Sequence, residues 1–403
     1  MLLRKAEWVE RVNRSPSSAL FNRLEATRAR GVRVYDLGIG DADFTVAEHI
    51  KDAAIAAIRE NFNGYTSTAG MLPLRQAIAE RLHADIGVDY APGEIIVTVG
   101  AKHAIFNAIV TLCRAGDEVL IPVPYWVSFP EQVKFAGGAP VRVPTESGAG
   151  YKLTRELLER YAGPRARILI LNSPNNPSGA VYTRGQLEDI AAFCVERGIW
   201  VITDEIYAAF TYTPGGHVSI ASLPGMRERT VVVSGVSKIY GMTGWRIGYT
   251  AAPQAVADAM LTLQTHTTSN PNSIAQRAAL AALTGPQEGV ATSRTEYARR
   301  RLALVERVRR IRGLRCLVPE GTIYLWVDAS DWCGRDLGGR HLGTTTDLAE
   351  YLMDEARVAV GPGAGFGSDT HIRLCFAMPP EEVAAGMDAI ERVLGAATAP
   401  PFS

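Results

Sequence analysis

The sequence carries no net charge: its 403 residues hold 42 lysines and arginines against 42 aspartates and glutamates. That balance argues against a broad basic surface for nucleic acid or anionic lipid. No stretch is apolar for long enough to cross a bilayer. The opening residues, MLLRKAEWVERVNRSPSSAL, lack the apolar centre of a signal peptide. Cysteine is scarce. Cys113, Cys194, Cys316, Cys333 and Cys375 form no CxxC pair. An odd, unpatterned set points to reduced, mostly buried thiols in a cytoplasmic protein, with neither disulfide nor metal expected. Repeats and low-complexity blocks are also missing. What remains is an ordinary globular composition, 47% hydrophobic and 21% charged, long enough for two or three domains.

What is present is an alternation. From about Ile95 to Ala252, short apolar runs (EIIVTVG, EVLIPVP, RILILNSP, WVITDEIY, TVVVSGVSK, WRIGYTAA) take turns with helical patterns such as RGQLEDIAAFCVERG. In that helix Leu187, Ile190, Ala191 and Cys194 recur at helical spacing. Continuous β-branched runs predict strands buried on both faces, hence an α/β fold with a mostly parallel central sheet and helices on both faces. The last third reads as a smaller α+β domain. It has a long basic helix (SRTEYARRRLALVERVRRI), a strand (TIYLWVDA), a Gly- and Thr-rich loop from Gly334 to Thr346, and a strand HIRLCFA. The expected division is an N-terminal arm with part of the small domain over 1–40, a large domain over 41–290 and the small domain over 291–403. The tail TAPPFS is expected to fray.

In open α/β sheets ligands bind at the carboxyl ends of strands, and unusual polar residues cluster there. Gly100-Ala101-Lys102 opens a helix after a strand. Asn175 and Asn176 follow another, Asp204 and Glu205 a third. Lys238 and Arg246 stand eight residues apart in the glycine-studded SGVSKIYGMTGWRIGY. Each has an ordinary reading alone: a strand-to-helix turn, amides capping a loop, a solvated acid, a surface lysine. Together they match the needs of pyridoxal 5′-phosphate. That cofactor calls for an amine for a Schiff base, an acid facing the ring nitrogen, donors to the phenolic oxygen, and an anion site.

These motifs resemble those of the class I/II aminotransferases with the aspartate aminotransferase fold, closest to the bacterial branch using aspartate and prephenate. SKIYGMTGWRIGY, NSPNNPSGAVY, DEIY, VTVGAKHAIFNA, PYWVSFPEQVKFAGG and HIRLCFA match in order, from about Tyr35 to beyond Ala377. The resemblance implies ping-pong transfer of an amino group between an L-amino acid and a 2-oxo acid. It makes Lys238 the Schiff-base lysine and proton shuttle, and Asp204 the partner of the ring nitrogen. Tyr207 and Asn176 would serve the phenolic oxygen, and Trp126 would stack on the ring. Gly100, Ala101, Lys102, Ser234 and Arg246 would surround the phosphate. Tyr65 would reach a phosphate across the interface of a homodimer with shared active sites. Arg373 would clamp the substrate carboxylate, assisted by the Gly40 backbone, beside Trp126 and Asn176. Lys102 either reads a distal carboxylate, favouring acidic substrates, or is a cation beside phosphate or solvent. No catalytic part is expected for His103.

Three departures bear on substrate choice. Gly235 stands where relatives often have a phosphate-binding serine, GDADF replaces GEPDF, and GTIY replaces GAFY. Another reaction of the same cofactor, such as β-elimination, decarboxylation or oxidation, stays open at this point. GPGAGFG (Gly361 to Gly367) lacks the GxGxxG spacing of a nicotinamide site. No N-terminal DNA-binding extension supports a transcriptional sensor.

Overall fold

Seven strands build the main sheet of the computed structural model, which describes residues 4–14 and 16–396. The tail expected to fray lies outside the described residues. In chain order the strands are β1 (Ile95–Thr98), β2 (Glu118–Val123), β3 (Ala139–Pro144), β4 (Ala166–Asn172), β5 (Trp200–Asp204), β6 (Thr230–Gly235) and β7 (Gly248–Ala251). Their spatial order is β1-β7-β6-β5-β4-β2-β3. Pairing is parallel from β6 through β5, β4 and β2 to β3, and β7 alone runs antiparallel to both its neighbours.

The central strands are apolar throughout because both faces are covered. Ile168 and Ile170 of β4 join one core with Ile105 and Ile109 of the helix α3 and Val256 and Met260 of α5. Leu169 and Leu171, one residue out of phase, join Leu187, Ile190 and Cys194 of α4 on the other side. Here α1 is Pro16–Arg28, α2 Leu72–Ile86, α3 Ala101–Leu112, α4 Arg184–Arg197, α5 Gln254–Thr265, α6 Ser273–Thr284, α7 Glu288–Arg310 and α8 Pro380–Ala396. Each fully buried aliphatic side chain of this kind contributes about 1.5–3 kcal/mol.

A second sheet runs in the order β10-β11-β9-β8, with β8 Arg315–Cys316, β9 Tyr324–Asp328, β10 Gly361–Pro362 and β11 His371–Cys375, all antiparallel. Its core takes Tyr297, Leu304, Val305 and Val308 from one stripe of α7, and reaches Leu37 and the Ile206, Tyr207 and Phe210 turn beyond β5. Tyr35–Asp36 pairs parallel with Val358–Ala359. The Gly334–Thr346 segment, expected as a loop, contains a hairpin: Arg335–Leu337 pairs with Arg340–Leu342. Gly338 and Gly339, at φ +56° and +77°, supply the two positive angles that a tight hairpin turn demands. All five cysteines are free thiols, three of them buried. No helix among the described residues is long and apolar enough to cross a membrane.

Candidate active site

One edge of the main sheet opens onto a cavity of about 450 Å³, and the parallel strands aim their carboxyl ends at it. Ala101 and Lys102 begin α3 just beyond β1, Trp126 follows β2, Asn176 follows β4, Asp204 ends β5, and Lys238 follows β6; all line the cavity. Arg246 lines it too, because β7 runs backwards and so begins at the edge where the others end. From the second sheet come Arg373 on β11 and Tyr324 on β9, and from α1 come Phe21 and Asn22.

Lys238 donates from Nζ to the Gly40 carbonyl at 2.5 Å and lies 6.0 Å from the centre of the Tyr207 ring. Asp204 is buried, and among the described residues its carboxylate accepts only the Ile206 N–H, at 3.2 Å. Burial is the main force raising its pKa to about 7; Glu205 adds to the rise, while the Ile206 bond and Lys238 oppose it. The Tyr207 hydroxyl shares a hydrogen bond with the Tyr324 hydroxyl at 3.0 Å. Burial first, then Tyr324, holds the Tyr207 phenol well above its ordinary range, so it stays a hydrogen-bond donor at neutral pH.

Arg373 is sandwiched, its guanidinium carbon 4.1 Å from the Tyr324 ring centre and 4.7 Å from that of Phe366. It donates to Asn176 Oδ1 at 3.0 Å and to the Gly38 carbonyl at 2.6 Å, and its Nε is buried without a partner. The backbone beside Arg373 is thus Gly38, and the Gly40 carbonyl faces Lys238. Lys102 holds its ammonium 5.0 Å over the Trp126 ring; burial, and then the nearby Arg246, lowers its pKa. His103 accepts the Val99 N–H on Nδ1, closing the turn between β1 and α3.

Glycine is needed at two of these positions. Gly100, φ +78°, caps α3, and a Cβ there would lie 2.4 Å from Arg246 Nη2. At Gly235 the limit is space: a Cβ would fall 2.8 Å from the Gly248 Cα and 2.9 Å from the Ile247 carbonyl. No serine fits at that point of β6, which accounts for the departure seen in the sequence. Gly235→Ala is expected to cost about 1–3 kcal/mol by overpacking, read as a lowered thermal midpoint.

Ser234, expected at the phosphate, sits elsewhere. It lies on the opposite face of β6 and lines a different cavity, with Tyr249 and Glu205. Strand alternation turns it away, and Ser237, beyond the strand end, faces the front cavity instead. Tyr65 is 94% exposed and does not line the cavity of its own chain. The sequence reading missed Ser237 and Thr243; Tyr324, the last residue of GTIY, lines the cavity as well.

Asp204 makes a pH prediction for the cofactor-free protein. The folded chain binds that proton more tightly than an unfolded one, whose aspartate titrates near 3.8. Its contribution to stability is therefore fully present below about pH 4 and is lost as pH rises through about 7. Asp204→Asn is expected to flatten that part of the stability–pH curve, measured by chemical denaturation.

An amine, a buried acid, a guanidinium and a helix start thus face one chamber. The chain belongs to the class I and II aminotransferases, whose sequence profile matches residues 32–390. It is an enzyme, a transaminase. Its relatives include an aspartate aminotransferase of Geobacillus stearothermophilus, 40% identical over 98% of this chain and 100% of that one. A probable aspartate/prephenate aminotransferase of Aquifex aeolicus is 40% identical over 96% and 98% of the two chains. The crystal structure of the aspartate aminotransferase from Rhizobium meliloti superposes with a TM-score of 0.93 at 36% identity, over 98% of this chain and 99% of that one.

Proposed function

We propose that this chain moves the amino group of an acidic L-amino acid to a 2-oxo acid by a ping-pong route, with pyridoxal 5′-phosphate bound in the 450 Å³ cavity. The observation that carries the reading is the enclosure of Lys238, Asp204, Tyr207, Arg246 and Arg373 in that one chamber. The residues fit the cofactor. Asp204 is a buried acid with no hydrogen-bonded cation, which a protonated ring nitrogen would supply. The first turn of α3 leaves backbone N–H groups free beside Arg246, which suits a phosphate. Trp126 offers a ring face and Tyr207 and Asn176 offer donors. When bound, the cofactor lends an electrophilic carbon to the amine and a cationic ring that takes up electrons as the α-carbon loses its proton.

The chain's own residues do the rest. Arg373 holds the substrate carboxylate, with its planar fork fixed between Tyr324 and Phe366. Lys238 provides the covalent anchor and then carries the proton removed at Cα. Asp204 would pair with the ring nitrogen. Phe21 and Asn22 of α1 add to the lining of the cavity. We assign Tyr65 to the site of a neighbouring subunit in a homodimer; a tyrosine left 94% exposed by its own chain supports that. Exposed Ile55, Ile58 and Leu72 add apolar surface of the kind a dimer covers. We take 41–290 as the large domain, with 1–40 and 291–403 contributing the arm and the small domain.

Lys102 is the acid reader in this account, because it lines the cavity with its charge over Trp126. Lys102→Gln is expected to lower kcat/KM for aspartate and glutamate by about 10–100-fold and for a neutral donor such as alanine by less than about threefold. Equal losses for both classes would remove the acid preference from the reading.

A further inference from the structure

Two acids stand side by side at the end of β5, and the front cavity uses one. Strand alternation sends Asp204 to that cavity and Thr203 and Glu205 to the opposite face. There Glu205 is 3% exposed and caged: Oε1 accepts from Thr203 Oγ1 at 3.0 Å and Ser219 Oγ at 2.7 Å, and Oε2 from His217 Nε2 at 2.9 Å. Such a donor set suits an ionised carboxylate. The His217 side chain is 7% exposed, turns Nε2 to Glu205 and has no partner on Nδ1 among the described residues. Behind this cage lies a second cavity of about 310 Å³. The charged and titratable groups facing it are Arg81 and Asp85 of α2, paired at 2.9 Å, Arg294 of α7, Tyr240, and Tyr249 of β7. Tyr90 feels the charge of Glu205 from further away. None of these is hydrogen-bonded to the Glu205 carboxylate.

We propose that Glu205 is a positioning residue for the reaction: its caged negative charge, one residue from Asp204, strengthens that acid's need for a cationic partner and so tightens the cavity's hold on the cofactor's ring nitrogen. The proposal rests on Asp204 as the ring-nitrogen partner. Three features agree with it. The Glu205 carboxylate is held in place by Thr203, Ser219 and His217, so its charge stays at one point on the far side of the strand end from Asp204. Asp204 has one weak donor where Glu205 has three strong ones, so the two sides of the sheet are unequally satisfied. And Glu205 adds to the rise in the Asp204 pKa.

The test begins without cofactor. Carbon-13 NMR of aspartate-labelled protein, assigned with Asp204→Asn, follows the Asp204 carboxyl through its titration. Glu205→Gln is expected to lower the midpoint by about one pH unit, and Glu205→Asp, which keeps the charge, to leave it nearly in place. If Glu205→Gln does not fold, the combined change Glu205→Met with His217→Phe, Thr203→Val and Ser219→Ala removes the charge together with its three buried donors and carries the same expectation. A midpoint that ignores removal of the charge overturns the proposal. With cofactor, at about pH 9, where Asp204 is ionised in both proteins and protons no longer compete for it, equilibrium affinity for pyridoxal 5′-phosphate is expected to fall several-fold, up to about tenfold, in Glu205→Gln, and the difference to shrink on an Asp204→Asn background. Affinity that depends on Asp204 beside a midpoint that ignores Glu205 defeats this proposal alone. A midpoint that moves, with affinity indifferent to Asp204→Asn, defeats the ring-nitrogen reading and the proposal with it.

Discussion

Lys238→Ala is expected to lower turnover by about 10⁴-fold or more while leaving the fold intact. The side chain reaches into the cavity and donates to the Gly40 carbonyl, so truncation removes one cavity-facing bond and no core contact. What it removes is chemistry twice over: the covalent anchor and the base at Cα. Lys102 is the other amine lining the cavity, but it lies over Trp126, whereas Lys238 approaches the Tyr207 ring. It cannot stand in for Lys238. Steady-state kinetics with a cooperative thermal transition as the folding control reads the effect. Added small primary amines are expected to restore part of the lost rate, since the missing group is a diffusible base; a purely structural lesion would not respond. Near-normal turnover in the variant would contradict the account.

The second large effect falls on Arg373. Arg373→Ala is expected to lower kcat/KM by about 10³-fold and Arg373→Lys by about 10–100-fold. The lysine variant is the more informative. It keeps the charge and loses the planar fork, the aromatic sandwich with Tyr324 and Phe366, and the paired donation to Asn176 and Gly38. If geometry matters, kcat falls along with the rise in KM, because a carboxylate held by a point charge leaves Cα free to turn. A change confined to KM would mean that Arg373 supplies charge alone.

Much of the fold and the site is legible in the amino-acid sequence. The strand ends are readable because the central strands are buried on both faces and therefore apolar without interruption, as in RILILN and TVVV. Asp204 at the end of one such run, and Asn176 and Lys238 a few residues beyond two others, all meet in one cavity. Less legible is β3, Ala139–Pro144, an edge strand whose half-exposed residues give no continuous run. The pairing of Tyr35–Asp36 with Val358–Ala359 joins segments more than three hundred residues apart in two-residue strands, too short for any periodicity to show. The hairpin at Gly338-Gly339 carries a signal that a glycine-rich loop reading hides. Ser234 and Ser237 cannot be told apart by motif: the choice depends on where β6 ends and which face each residue takes. Glu205 and His217 meet only in three dimensions, twelve residues apart across the loop after β5.

The most direct measurement is a chemical trap. Purified protein is incubated with pyridoxal 5′-phosphate, reduced with borohydride, digested and mapped by mass spectrometry. One modified peptide is expected, carrying the reduced cofactor on the Lys238 side chain, and it is expected to disappear in Lys238→Ala. A cofactor-dependent enzyme whose label falls on Lys102 or any other lysine, or on none, would contradict it.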